Sequence, residues 1–252
     1  MSFIIIAIDG PSGVGKSTIA RKLAAELSCV YVDTGAMFRC LALSWGKQGC
    51  PESDLTLQEL GEQTRIYFED DKTFCDEIDV TDEIRSEDIS SLASRISLFP
   101  SIREVMKKKQ RALVKEECEA GNYKGAVLEG RDIGTVVFPY ADHKFFIDAS
   151  PEIRAERRYL QLRKQDIDAD FQEILSALVE RDHQDKNRSI APLRAAEDAI
   201  IIDTGNMNID EVMQHLLESV DLTNLNKNKK KIKFLSYQLI IQKSHESSHT
   251  CS

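Results

Sequence analysis

Gly10-Pro11-Ser12-Gly13-Val14-Gly15-Lys16-Ser17-Thr18 is the stretch on which the reading of this chain turns. It fits G-x-x-x-x-G-K-[S/T] and stands between an apolar run, Phe3 to Ile8, and a segment of helical periodicity over Lys16–Leu27, with Ile19, Leu23 and Leu27 on one face. Its glycines let the backbone turn so that several N–H groups converge on phosphate oxygens with no Cβ in the way. A helix starting near Lys16 adds the positive end of its dipole. In such a loop Lys16 bridges the β- and γ-phosphates and the Ser17 hydroxyl is placed to ligate Mg²⁺. The stretch therefore predicts a nucleoside-triphosphate site but leaves its user open: a switch, a motor or a small-molecule kinase. The guanine-reading N/TKxD motif is missing, since Asn226-Lys227-Asn228-Lys229 lacks the Asp, and motors are usually larger.

Outward from the loop the chain alternates strand and helix. Val30–Val32 is a short strand ending at Asp33-Thr34-Gly35, followed by a helix over Ala36–Lys47. Residues 50–63 are polar and turn-rich. Ile66-Tyr67-Phe68 and Glu77–Val80, around Asp70-Asp71-Lys72, predict a small antiparallel hairpin inserted in the α/β pattern. Helices are expected near 84–98 and 101–120, broken at Pro100. Gly125–Glu129, Lys144–Asp148 and Ala199–Asp203 are the remaining strands, with helices near 151–164, 170–184 and from Asn208 to about Val220. Ser150-Pro151-Glu152 is a strong helix start. The alternation predicts a parallel sheet with helices on both faces.

The 252 residues suffice for one sizeable core and a small insert. Net charge is −9, but residues 223–252 hold six Lys and one Glu, a balance of +5, so the rest carries −14. An acidic body argues against general nucleic-acid binding, which depends on basic patches, though one phosphate ligand needs only local positive charge. The Lys-rich tail 223–252 is expected to lie outside the fold and to be poorly ordered. Cys29, Cys40, Cys50, Cys75, Cys118 and Cys251 form no CxxC pair and suggest free thiols in a reducing compartment. No basic segment precedes the apolar N-terminal run, and Asp9 ends it well short of a leader or membrane span. A cytoplasmic monomer, without membrane or nucleic-acid partners, is the expectation.

Arginines mark a second anion site. Arg39, Arg103, Arg131, Arg181 and Arg188 recur at expected strand or helix ends. Two phosphates must meet before transfer, and Arg supplies fixed positive charge bidentately. Any one of them could instead be a surface ion pair. Glu129-Gly130-Arg131-Asp132 follows a buried strand at its carboxyl end, where open α/β sheets bind ligands. Glu129 there is placed to hold Mg²⁺ through water, or to cap a helix. Arg154, Arg157 and Arg158 fall on one helix face at i, i+3 and i+4. With Arg163 they either close over ATP phosphates as a lid or form a solvated ion-pair face with Glu152 and Glu156.

Taken together, IDGPSGVGKST (8–18), DTGAMFR (33–39), DVTDEIRS (79–86), FPSIRE (99–104), EGRDIGTVVFP (129–139) and ERDHQDKNRSIAPL (180–193) resemble bacterial-type cytidylate kinases, over about residues 3–222. The resemblance implies a P-loop kinase fold: a five-stranded parallel sheet with helices on both faces, an antiparallel insert for the nucleoside monophosphate (about 50–98) and a helical lid (about 151–170). The core is then 1–48, 100–150 and 184–222. It also implies transfer of the ATP γ-phosphate to CMP or dCMP with Mg²⁺, the alternative being a P-loop kinase for UMP or another small acceptor. Thr34, Arg39 and Arg131 would hold the acceptor phosphate. Ser94, Arg103 and Asp132 would read the cytosine edge, and Arg181 and Asp185 would hold the ribose. Arg188 would reach towards base and phosphate, although Asp185 and Arg188 also stand at ion-pair spacing. Lys16, Arg131, Arg154 and Arg158 would be the catalytic cations and Arg157 an ATP contact. Ser17 stands where some members have Gly, Phe38 where Tyr is frequent, and Thr34 in place of Ser. His183 lies within the acceptor motif without a needed role.

Overall fold

A computed structural model describes residues 3–49, 53–69 and 71–220. In chain order the first elements are β1 (Ile4–Asp9), α1 (Lys16–Leu27), β2 (Val30–Asp33), α2 (Thr34–Gln48) and α3 (Asp54–Gln63). A small three-stranded antiparallel sheet follows: β3 (Ile66–Glu69), β4 (Lys72–Cys75) and β5 (Ile78–Asp79). Then come α4 (Glu87–Ile96), α5 (Pro100–Glu119), β6 (Gly125–Gly130), β7 (His143–Asp148), α6 (Pro151–Lys164), α7 (Phe171–Asn187) and β8 (Ile200–Asp203). The large sheet has the order β2-β6-β1-β7-β8, and every pairing in it is parallel.

That order puts β1 in the middle, with β6 and β7 on its two sides. All six residues of β6 are buried, so both alternating faces of the sheet are covered, as a parallel sheet requires. Ala7, Val32, Leu41, Ile102, Met106 and Leu128 are fully buried in one cluster. Each large side chain among them contributes about 1.5–3 kcal/mol by leaving water. The register is level at the carboxyl rim: Asp9 lies opposite Gly130, and Asp33 opposite Glu129. Three carboxylates, Asp9, Asp33 and Glu129, thus stand at the carboxyl ends of three neighbouring strands.

Three local expectations change. The polar segment 50–63 is not simply turn-rich: Asp54–Gln63 is helical, because Ser53 caps it by accepting from the Thr56 N–H and because Leu57 and Leu60 are buried one turn apart. The inserted hairpin gains a third strand, through a turn in which Asp76 and Glu77 both take positive φ (48° and 66°). The expected break between two helices lies at Pro100, which is itself the first residue of the second. α7 runs on to Asn187, so the acceptor motif 180–193 begins inside a helix. The compact unit built from these elements extends to Asn208. In a second unit, starting at Ile209, residues 209–220 are helical and bury Val212, Leu216 and Val220 at helical spacing. The expectation for the tail 223–252 falls outside the described residues. No helix among the described residues is long and apolar enough to cross a membrane.

Candidate active site

The donor loop is shaped by contacts that exclude other residues. At Gly10 a Cβ would lie 2.1 Å from the Ile147 carbonyl oxygen of β7, so only glycine passes that strand. Pro11 and Val14 are buried and Ser12 is half-buried; Gly13, Gly15, Ser17 and Thr18 face outward. Lys16, the first residue of α1, is buried, and its ammonium donates to the Pro11 carbonyl at 2.6 Å. Burial, then the nearby Arg131 charge, lowers its pKa to about 7, against the pull of Glu129, Asp9 and Asp185. Asp9 accepts from the Ile133 and Gly134 N–H groups at 2.8 and 2.7 Å and so ties the turn after β6 to the base of the loop. Burial nevertheless raises its pKa to about 6.

Beside the loop, Ser17 and Glu129 meet. The Glu129 carboxylate takes hydrogen bonds from the Ser17 hydroxyl and from Tyr31, whose phenol donates at 2.5 Å. Burial, and then Asp33, hold Glu129 above the usual carboxylate range, against the pull of Lys16. A hydroxyl and a buried carboxylate within reach of each other suit a hard, oxygen-seeking cation that keeps several waters. Glu129 caps no helix; it is the penultimate residue of β6, at the rim.

Arg39, Arg103, Arg131, Arg181 and Arg188 are brought to the same rim by α2, α5, the turn after β6, and α7. Three of them, Arg103, Arg131 and Arg188, are linked through two carboxylates. Asp132 accepts from Arg103 at 2.7 Å and lies 3.7 Å from Arg188. Asp185 accepts from Arg131 at 2.8 Å and lies 3.6 Å from Arg188. Burial pushes Asp185 up, but Arg131, Arg188 and Arg181 outweigh it and the net shift is downward. The pairing is incomplete on the cationic side. Arg39 Nε, Arg181 Nε and Arg188 Nη2 are buried N–H groups without a hydrogen-bond partner. Burial, with Arg131 next, depresses the Arg181 pKa, and burial, with Arg103 next, brings Arg188 down to about 10. Such crowding of desolvated cations is unfavourable until an anion answers it. Thr34 donates to the Glu129 carbonyl at 2.6 Å, and Arg39 donates to Asp33 at 3.1 Å. Phe38 lies under the Arg103 guanidinium, 5.6 Å from its centre, so a ring suffices here without a hydroxyl. Ser94 is half-buried on α4, and its carbonyl accepts from Ser97.

The four arginines of α6 do not share one task, and Arg154 turns away from the face that Arg157 and Arg158 were expected to share with it. Arg154 is 1% exposed; it donates to the Ser12 and Ala149 carbonyls, each at 2.9 Å, and to the Asp182 carboxylate at 2.5 and 3.2 Å. A guanidinium committed in this way braces the donor loop from beneath. Arg157 donates to the Thr204 carbonyl and hydroxyl. Arg158 is half-exposed and faces Glu87 of α4 at 3.3 Å, and Arg163 approaches Asp168 at 3.8 Å. His183 is exposed.

Asp9, Tyr31 and Asp182 belong to this constellation although sequence reasoning passed over them. A rim position was a usable signal for Asp9, which directly precedes the glycine loop. Asp182 adjoins Arg181, but only the fold shows that it turns the other way, to Arg154. A cavity of about 830 Å³ opens beside the rim, between β2, α5 and the small sheet, lined among others by Arg21, Tyr31, Arg39, Tyr67 and Lys109.

Residues 6–222 match the family model described as cytidylate kinase. The cytidylate kinase of Syntrophotalea carbinolica is 46% identical over 222 residues, covering 86% of this chain and 92% of that one. That of Geobacter sulfurreducens is 44% identical over 218 residues, covering 84% and 91%. Among solved structures, a shikimate kinase from Bacteroides thetaiotaomicron aligns over 87% of this chain and 99% of its own, at a TM-score of 0.43 and 12% identity. With a family model spanning residues 6–222 and relatives of this identity over more than nine-tenths of their length, the chain belongs to the cytidylate kinase family.

Proposed function

We propose that this protein transfers the γ-phosphate of ATP to CMP or dCMP, giving ADP and CDP or dCDP, with the acceptor phosphate gathered by Arg39, Arg131 and Arg188 at the mouth of the loop Gly10–Thr18. The observation that carries this reading is the set of buried guanidinium N–H groups left over at Arg39, Arg181 and Arg188, next to the donor lysine. Thr34 lies beside them at the end of β2. Asp132, held by Arg103, offers a carboxylate oxygen to the exocyclic amine of cytosine, with Ser94 completing the edge. Asp185, with Arg181, accepts from the ribose hydroxyls.

Transfer is direct and in line, and no covalent enzyme intermediate is needed. The transition state is loose, so positioning and charge neutralisation do most of the work and no strong general base is required. Lys16 steadies the β- and γ-phosphate oxygens, and Arg158, more accessible than Arg154, approaches the transferring group when the lid closes. Arg157 contacts the ATP side. Ser17, with Glu129 through water, would hold Mg²⁺, which when bound neutralises phosphate charge. The partners are ATP and CMP or dCMP. The protein works as a monomer in the cytoplasm, where its free thiols at Cys29, Cys40, Cys75 and Cys118 are in keeping with a reducing environment.

Coupled ADP release with a panel of CMP, dCMP, UMP, AMP and GMP tests the assignment. CMP and dCMP should drive turnover, and Lys16→Ala should abolish nearly all of it. Saturation by UMP with no response to CMP would reverse it.

A further inference from the structure

Cys40 and Cys75 come from distant parts of the chain and meet where the small sheet packs on the parallel-sheet core. Cys40 lies on α2, directly after Arg39; Cys75 ends β4. Both are buried in one cluster with Ala36, Leu43, Val80 and Ile84. The Cys75 sulfur is 3.8 Å from the Cys40 carbonyl oxygen and 3.3 Å from the Ser44 hydroxyl, and the two thiols hydrogen-bond to each other. We propose that Cys40 and Cys75 form a reversible disulfide under hydroperoxide, a modification site that fastens the small sheet to the helix carrying Arg39.

The polarity of the pair sets the order of events. As a thiol Cys75 donates to the Cys40 carbonyl; hydrogen bonding with the Cys40 side chain, and after it with Ser44, outweighs burial and lowers the Cys75 pKa to about 7. Its thiolate attacks one peroxide oxygen; the O–O bond breaks, and the departing hydroxide takes a proton to leave as water. The Cys40 thiol then attacks the sulfenic sulfur. The S–S bond forms, the S–O bond breaks, and hydroxide leaves with the Cys40 proton as a second water. Two electrons pass from the two sulfurs to the peroxide, and a dithiol reverses the product by exchange. Cys29 and Cys118 are also neighbours, but burial pushes the Cys29 thiol up to about 11 and raises Cys118 as well, so that pair lacks a ready thiolate.

Bonding shortens a non-bonded sulfur contact to about 2.05 Å. The displacement falls on α2 next to Arg39 and couples it rigidly to β4, so the damage is to the acceptor side. A misplacement of about 1 Å lowers turnover as much as a hundredfold. A fall of about tenfold to a hundredfold in kcat/KM for CMP is expected, with ATP affinity unchanged.

The test treats the full chain with dilute hydrogen peroxide, blocks remaining thiols by alkylation, and maps peptides by mass. A Cys40–Cys75 cross-linked peptide should appear in step with the loss of kcat/KM for CMP, and dithiothreitol should reverse both. Cys75→Ala should keep its activity through the same treatment. The proposal is overturned if Cys40 and Cys75 stay alkylatable while activity falls, if a Cys29–Cys118 link accounts for the loss, or if the Cys40–Cys75 link forms and activity is untouched. Should Cys75→Ala fail to fold, the wild-type peptide map decides alone. Because the link is read by mass, its absence is distinguishable from a wrong assignment of the acceptor.

Discussion

Arg154 donates to the Asp182 carboxylate through both terminal nitrogens while donating to the backbone carbonyl of Ser12. One buried guanidinium therefore joins α7, α6 and the donor loop. Removing one partner of such a pair leaves the other charge buried, at about 3–5 kcal/mol. Arg154→Ala should lower stability by that order in chemical denaturation. Arg158→Ala, which loses exposed contacts with Glu87 and Gln161, should leave stability within about 0.5 kcal/mol while reducing kcat. If Arg154→Ala unfolds like wild type and merely loses kcat, the bracing role is wrong.

Tyr31 is tied to Glu129 by its hydroxyl alone on that side, while its ring lies 5.0 Å from the Arg21 guanidinium. Tyr31→Phe keeps the ring contact and deletes one hydrogen bond to a charged group, about 1.5–3 kcal/mol. Its unfolding free energy should fall within that range, and its Mg²⁺ requirement should rise. An unchanged Mg²⁺ titration would separate Tyr31 from the metal site.

Asp9 gives a pH signature of known sign. Its folded pKa, near 6, lies above the ordinary 3.8, so the folded state holds the proton more tightly than the unfolded chain. Wild-type stability is therefore lost from this group as pH rises from about 4 to 6. Asn cannot titrate. Whatever the absolute cost of Asp9→Asn, its stability relative to wild type should improve by up to about 3 kcal/mol between pH 4 and pH 7, measured by denaturant titration. A relative stability flat across that range would contradict the burial argument.

Much of this was legible in advance, for physical reasons that differ by element. β1, β6 and β7 announce themselves because strands buried on both faces must be continuous apolar runs. The glycine loop is legible because backbone geometry leaves few alternatives to glycine. α3 was hidden: Leu57 and Leu60 are its only large buried side chains, and the turn-forming residues around them dominate its composition. The strand order was also not readable, since nothing local says that β6 slips between β1 and β2. Arg154 shows the limit of periodicity. Helical spacing correctly places it near Arg157 and Arg158, but a long side chain at the edge of a face can turn inward when a buried carboxylate such as Asp182 awaits it.

The central claim is that a ring of arginines holds the acceptor phosphate while the glycine loop holds ATP. Calorimetric titration of Arg131→Ala with CMP, and separately with ATP, tests this most directly. Loss of one or two charge-assisted bonds should weaken CMP by roughly tenfold to several hundredfold and leave ATP nearly unchanged. If CMP binds Arg131→Ala as it binds wild type, or if ATP alone is weakened, the acceptor site does not lie at this rim.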